Sequence, residues 1–203
     1  MEADFVKNFI RSFPPYSHDP RSKIPGKDAR LIFVMNIREA LLAEHSKPQT
    51  MKIVRYIAGD SVKFRELMDL FLGDTYRLSQ RAAWAVNYCA EHHPELVKPY
   101  FNKLVEQLTR DDVHVAVRRN VARMLQFIEI PKRLEGRVYD ACYNLLDDAN
   151  QPVAVRVFAL SAAAKIARNE PALLNELRLV ATKYPSLMTA GFRVRTRRLL
   201  GVE

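Results

Sequence analysis

Four arginines recur along the chain at nearly constant spacing. Arg81, Arg118, Arg156 and Arg195 lie 37, 38 and 39 residues apart. Each sits in a similar local sentence: Ser79-Gln80-Arg81-Ala82-Ala83-Trp84, Ala116-Val117-Arg118-Arg119-Asn120-Val121, Ala154-Val155-Arg156-Val157-Phe158-Ala159 and Arg193-Val194-Arg195-Thr196-Arg197-Arg198. A repeat of this length has room for two helices and a turn. One such pair cannot bury its apolar stripe alone, so successive pairs must stack, and the chain must build a solenoid.

The helical reading follows from punctuation and periodicity. Helices are predicted over 36–45, 46–58, 60–72, 75–92, 95–109, 112–128, 132–147, 151–168, 171–184 and 188–200. Pro94, Pro131, Pro152, Pro171 and Pro185 mark the breaks, because proline costs little in the first turn and much in the interior. Ser46 and Asp60 or Ser61 are placed to cap helices, and Gly59 and Gly73 to end them. Apolar residues fall at helical spacing, as in Phe64, Leu67, Met68 and Phe71.

Residues 1–34 read differently. Pro14, Pro15, Pro20 and Pro25 fall there, and the run Phe13 to Pro20 cannot be regular helix. A short helix over 3–12 is possible, with Phe5, Phe9 and Ile10 on one face. The expected organisation is a non-repeat extension over 1–34 and one repeat domain over 35–203. Met35, which opens a clean amphipathic helix, is the expected biological start.

Around the recurring arginines the chain resembles HEAT repeats. That signature is an Asp in the turn between paired helices, then Val-Arg, then a small apolar residue three positions on and a larger one seven on. Asp112 precedes Val117-Arg118, with Val121 and Leu125 in the apolar slots. Asp148 precedes Val155-Arg156, with Ala159 and Ala163. Asp74 precedes Arg81, with Trp84 and Tyr88. The last copy lacks the Asp and has Arg198 where a small residue belongs. The start Met35-Asn36-Ile37-Arg38-Glu39-Ala40-Leu41-Leu42 is similar to that of a small group of stand-alone bacterial HEAT-like proteins with no assigned activity. The resemblance implies an all-α fold: a right-handed HEAT-like α-α superhelix of four antiparallel helix pairs behind an N-terminal capping hairpin. It also implies that second helices line a shared concave wall.

The candidate residues fall into three groups. Asp112, Arg81, Arg118 and Arg156 form a ladder, in which each Arg is expected to bridge the acidic turn before it and neighbouring carbonyls. Arg119 and Arg123 share a helix face and are not dictated by the repeat, since siblings have Ala82 and Val86 or Val157 and Ser161 there. With Lys132, Arg133, Arg137, Arg193 and Arg197 they make a candidate basic face. Trp84 and Tyr88 are an aromatic candidate beside Arg77 and Arg81, suited to base stacking. HEAT-like alkylpurine DNA glycosylases use a concave aromatic, a carboxylate one turn later and an Arg from the next repeat. By that resemblance Trp84 and Arg123 fill two roles, but Tyr88 stands where the carboxylate belongs. The alignment puts Trp84 and Tyr88 in buried slots equivalent to Val121 and Leu125, so a packing role is expected for both.

Composition narrows the function class. The 203 residues carry 32 Lys and Arg against 23 Asp and Glu, a net charge of +9, which favours acidic partners. Cys89 and Cys142 have no zinc or redox spacing and are expected to be buried free thiols of a reducing compartment. The histidines lack metal-ligand spacing, and no phosphate loop or nucleophile–base constellation occurs. No cofactor or metal is expected. No apolar run reaches a membrane span, and without a secretory signal the cytoplasm is the expected location. The expectation is a non-enzymatic scaffold with a protein as partner and a nucleic acid as the alternative.

Overall fold

The computed structural model describes residues 34–73 and 75–201. The possible helix over 3–12, the proline-rich run and Asp74 lie outside them. Among the described residues ten α-helices follow one another: α1 (Ile37–Ala43), α2 (Lys47–Ile57), α3 (Ser61–Leu72), α4 (Tyr76–His92), α5 (Phe101–Thr109), α6 (Val115–Leu125), α7 (Lys132–Asp147), α8 (Val153–Ile166), α9 (Pro171–Thr182) and α10 (Ala190–Leu200). No strand occurs among the described residues.

Local chemistry sets the boundaries. Asn36, Ser46 and Thr189 accept from the third following amide, and Asp60 accepts from the Val62 and Lys63 amides. These side chains satisfy amides that the first helical turn leaves orphaned. α2 ends on Ala58, which takes the left-handed conformation at φ 42°, followed by Gly59 at φ 83°. The predicted helix over 95–109 divides: Pro94–Tyr100 is a 3-10 segment and α5 starts only at Phe101. Pro99 is the reason, since it has no amide to give an α-helical bond. The helix predicted from 112 starts at Val115, because the His114 ring caps it by accepting from the Ala116 amide at 3.0 Å.

Packing arranges the helices in two layers. α5, α7 and α9 contact one another in order, and so do α4, α6, α8 and α10. The pairs α3–α4, α5–α6, α7–α8 and α9–α10 each pack internally. The α1–α2 hairpin lies on α3 and α4, with α2 chiefly against α4. The core is continuous from Ile37 to Leu200. α8 lies at its centre, with Val155, Ala159, Leu160, Ala162 and Ala163 all fully buried. Buried Asn87 donates to the Asn120 side chain at 3.3 Å, tying α4 to α6 through the core. Cys89 and Cys142 are free and buried, and burial pushes both thiols up to about 12.

Candidate interaction face on the second helices

Each second helix carries a buried stripe. On α6 the inward residues are Val117, Val121 and Leu125; on α8 they are Val155, Ala159 and Ala163; on α10 they are Phe192, Thr196 and Leu200. On α4 the matching set is Leu78, Ala82 and Val86, each at most 2% exposed. Arg118 and Arg156 therefore correspond, as the sequence pattern suggests. Their counterparts in the outer repeats are Ser79 and Arg193, not Arg81 and Arg195.

Hydrogen bonding bears out this register. Arg118 Nη2 donates to the Arg110 carbonyl at the end of α5, and Arg156 Nε donates to the Leu146 carbonyl near the end of α7. Ser79 Oγ donates to the Gly73 carbonyl at the end of α3, at 2.8 Å. In each pair a second-helix side chain satisfies an orphan carbonyl of the first helix. Arg81, two residues out of step, reaches the opposite way, to the Leu41 and Leu42 carbonyls that end α1.

Among the described residues neither Arg118 nor Arg156 forms an ion pair with Asp112 or Asp148, and the bridge expected between Asp74 and Arg81 lies outside them. Asp112 closes on Arg110 instead, through Nε at 2.9 Å, and that guanidinium holds its carboxyl below the usual range. Asp148 accepts from the Gln151 side chain and the Asn150 amide, and its carboxyl is likewise held low. The Asp residues shape their own turns. Arg156 is 1% exposed and stands over the Tyr184 and Phe192 rings at 5.5 and 5.3 Å. Burial lowers its pKa.

Trp84 and Tyr88 are half-buried, and Tyr88 packs against the core. Trp84 meets the His45 ring edge to face at 5.7 Å. Its true counterparts are Arg123, Ser161 and Arg198. One turn earlier stand Gln80, Arg119, Val157 and Val194; one turn later stand Tyr88, Phe127 and Lys165. These three tiers cross the second-helix layer; Tyr88 and Val157 pack against the core and Ser161 is buried, whereas Arg119, Phe127, Val194 and Arg198 are exposed.

Charge divides by layer. The first-layer helices are each balanced. α1 carries Arg38 and Glu39; α3 carries Lys63 and Arg65 with Glu66 and Asp69; α5 carries Lys103 and Glu106; α9 carries Arg178 and Glu176. α7 carries Lys132, Arg133 and Arg137 against Glu135, Asp140 and Asp147. The second-layer helices are cationic. α2 has Lys47, Lys52 and Arg55; α4 has Arg77 and Arg81; α6 has Arg118, Arg119 and Arg123; α8 has Arg156 and Lys165; α10 has Arg193, Arg195, Arg197 and Arg198. Glu91 is the single carboxylate on these five helices among the described residues.

The expected basic face is thus divided. Arg119, Arg123, Arg193 and Arg197 belong to the cationic layer, whereas Lys132, Arg133 and Arg137 lie on α7 in the balanced one. Arg119, Arg193 and Arg197 are exposed. Arg123 pairs with Glu91 at 3.3 Å and stands 6.0 Å from the Phe127 ring. Lys165 donates to the Ile128 carbonyl at 2.6 Å and senses Glu129 of the connector. Arg198 joins Arg193 and Arg197 on α10, as the sequence cluster suggests, whereas Lys165, Phe127 and Val194 were not singled out by sequence reasoning. Counting charge helix by helix would have found the asymmetry.

Two polar clefts lie along the turns between paired helices. One of about 350 Å³ is lined by Tyr76, Ser79, Gln107, Arg110, Asp112 and His114 among others, with the Tyr76 ring tilted at 55° against His114, centroids 4.1 Å apart. The other, of about 210 Å³, lies between Asp111, Arg118, Asn144 and Asp148. Among the described residues no three His, Cys, Asp or Glu side chains are grouped to hold a metal ion. No described helix is long and apolar enough to cross a membrane.

Stacked antiparallel pairs, a continuous interlayer core and turn-closing side chains at each repeat define an all-α solenoid of the HEAT type. The HEAT repeat domain profile matches residues 37–201, and the chain belongs to that family. No match to a curated protein or to a solved structure was found. HEAT repeats commonly serve as protein-interaction scaffolds and are typically non-enzymatic.

Proposed function

We propose that this protein is a non-enzymatic scaffold that binds an acidic macromolecule, a protein above all, on the exposed side of its second-helix layer. The segregation of charge carries the reading. A protein that is merely basic would spread its surplus over both layers. Here every first-layer helix is neutral in sum, and the cations concentrate on α2, α4, α6, α8 and α10. Arg156 is buried and Lys165 is tied to a carbonyl, so the exposed cations of α2, α4, α6 and α10 are the ones that attract a polyanion and speed its approach. A nucleic acid is the second reading, favoured by Trp84, Tyr88 and Phe127 among the arginines, since each ring is a stacking platform.

Heparin chromatography tests the proposal. The triple variant Arg119→Glu, Arg197→Glu, Arg198→Glu alters exposed residues only and should keep its helical circular dichroism. It should elute at far lower salt than the parent. The first-layer control Lys132→Glu, Arg133→Glu, Arg137→Glu should elute close to the parent. Equal loss in both variants, or no retention of the parent, sinks the proposal.

A further inference from the structure

The second-helix face is not purely cationic, and its apolar residues say what kind of anion it fits. Val194 is 64% exposed and Phe127 51% exposed. Val194 shares its tier with Arg119 and half-buried Val157, and it stands one turn from exposed Arg198 on α10. Phe127 stands one turn beyond Arg123. On α8, between the arginines of α6 and α10, Val157 is half-buried against the core and the small Ser161 is buried. The exposed apolar residues, Phe127 and Val194, therefore stand beside guanidinium groups at the two sides of α8.

This mixture separates two classes of acidic partner. A phosphodiester backbone offers charge but no aliphatic surface for Val157 and Val194 to cover. A peptide that carries carboxylates beside apolar side chains offers both. Its carboxylates can take bidentate bonds from arginine, while its apolar side chains remove Val194 and Phe127 from water. From α6 across α8 to α10 are two helix spacings, roughly 16–20 Å at 8–10 Å each. That is about 11–13 residues of α-helix at 1.5 Å per residue.

Resting on the function proposed above, we infer that the partner is an amphipathic acidic protein segment, docked across α6, α8 and α10 with its apolar side chains on Phe127, Val157 and Val194 and its carboxylates on Arg119, Arg197 and Arg198. Charge complementarity selects the acidic side, and the exposed aliphatic positions select a peptide over a nucleic acid.

Fluorescence anisotropy with three labelled probes tests this. The first is an 18-residue peptide with Glu and Asp on one helical face and Leu and Phe on the other. The second replaces each Leu and Phe with Ser at the same charge. The third is a single-stranded oligonucleotide of the same charge. The amphipathic peptide should bind at least tenfold tighter than its Ser counterpart at about 0.15 M salt, where exposed charges are strongly screened. Val194→Ser with Phe127→Ser should remove that advantage and leave the Ser peptide's affinity unchanged. Equal binding of both peptides, each abolished by the Arg119, Arg197 and Arg198 reversals, overturns the inference and leaves the cationic-face reading standing. An oligonucleotide that binds tighter than the amphipathic peptide also overturns it. If no probe binds, both readings fall together.

Discussion

Glu91 on α4 and Arg123 on α6 form an ion pair of 3.3 Å, with side chains 21% and 31% exposed. The pair joins adjacent repeats and cancels part of the charge of the cationic layer. Burial raises the Glu91 pKa, against the opposing pull of Arg123 and His92. The charged form therefore costs the folded state more than its neighbours return.

Glu91→Gln follows from this with a definite sign. A carboxylate whose pKa is raised by folding adds stability at acid pH, and that stability is lost as pH rises through the folded value. The Tm of the parent relative to Glu91→Gln should therefore fall between acid pH and pH 7. The variant should be no less stable than the parent at pH 7. It should also bind heparin more tightly, since Arg123 is released. Thermal melts across this range check the sign, and a variant that becomes relatively weaker toward pH 7 contradicts it.

The register on α4 makes a ranking for core truncation. Leu125 is fully buried, so Leu125→Ala should cost about 3 kcal/mol. Trp84 is half-buried against His45, and Trp84→Ala should cost less despite removing more atoms. Urea unfolding of both variants measures the order. A Trp84→Ala variant weaker than Leu125→Ala would restore Trp84 to the core.

Arg156 is buried without a direct ion pair among the described residues, Asp147 and Asp148 acting on it only at a distance, and its Nη2 is unbonded. Arg156→Ala should cost about 2–4 kcal/mol, through a cavity and an abandoned Leu146 carbonyl. Arg156→Met should cost less, because it refills the space beside Phe192 and removes a desolvated charge. Denaturant midpoints of the two variants provide the comparison.

Ala58 and Gly59 should respond oppositely. Ala58 holds φ 42° without being glycine, so Ala58→Gly should stabilise by about 0.5–1 kcal/mol. Gly59 sits at φ 83°, where an added Cβ would lie 3.1 Å from His93 Cε1, so Gly59→Ala should destabilise by about 1–2 kcal/mol. Differential scanning calorimetry would resolve both, since a shift of 1 kcal/mol moves Tm by a few degrees in a domain of this size.

Much of this architecture was legible in the chain. Recurring Val117-Arg118 and Val155-Arg156 announced stacked pairs, and the prolines and caps placed the helix ends to within a few residues. Pro99 was the exception: it splits the Pro94–Thr109 stretch because no other residue supplies the missing amide. Register in the outer repeats was not legible from the arginines. A motif weighs the letter, whereas packing weighs the apolar stripe. Arg81 satisfied the motif while Leu78, Ala82 and Val86 satisfied the core, and the core set the rotation of α4. Partner choice for Asp112 was also hidden, since Arg110 reaches it across two residues while Arg118 is drawn to a carbonyl. The division of Arg119 and Arg123 from Lys132, Arg133 and Arg137 needed the layers, because helices adjacent in sequence fall on different layers.

One consequence follows from the neutral first layer lying against the cationic second. Two such slabs give the repeat array a transverse electric dipole. An incoming polyanion exerts a torque on it as well as a pull. On the function proposed above, that torque would turn α6 and α10 toward the polyanion before contact, so that encounter would be oriented rather than random. Dilute salt should preserve that alignment, and concentrated salt should abolish it by shrinking the reach of the field.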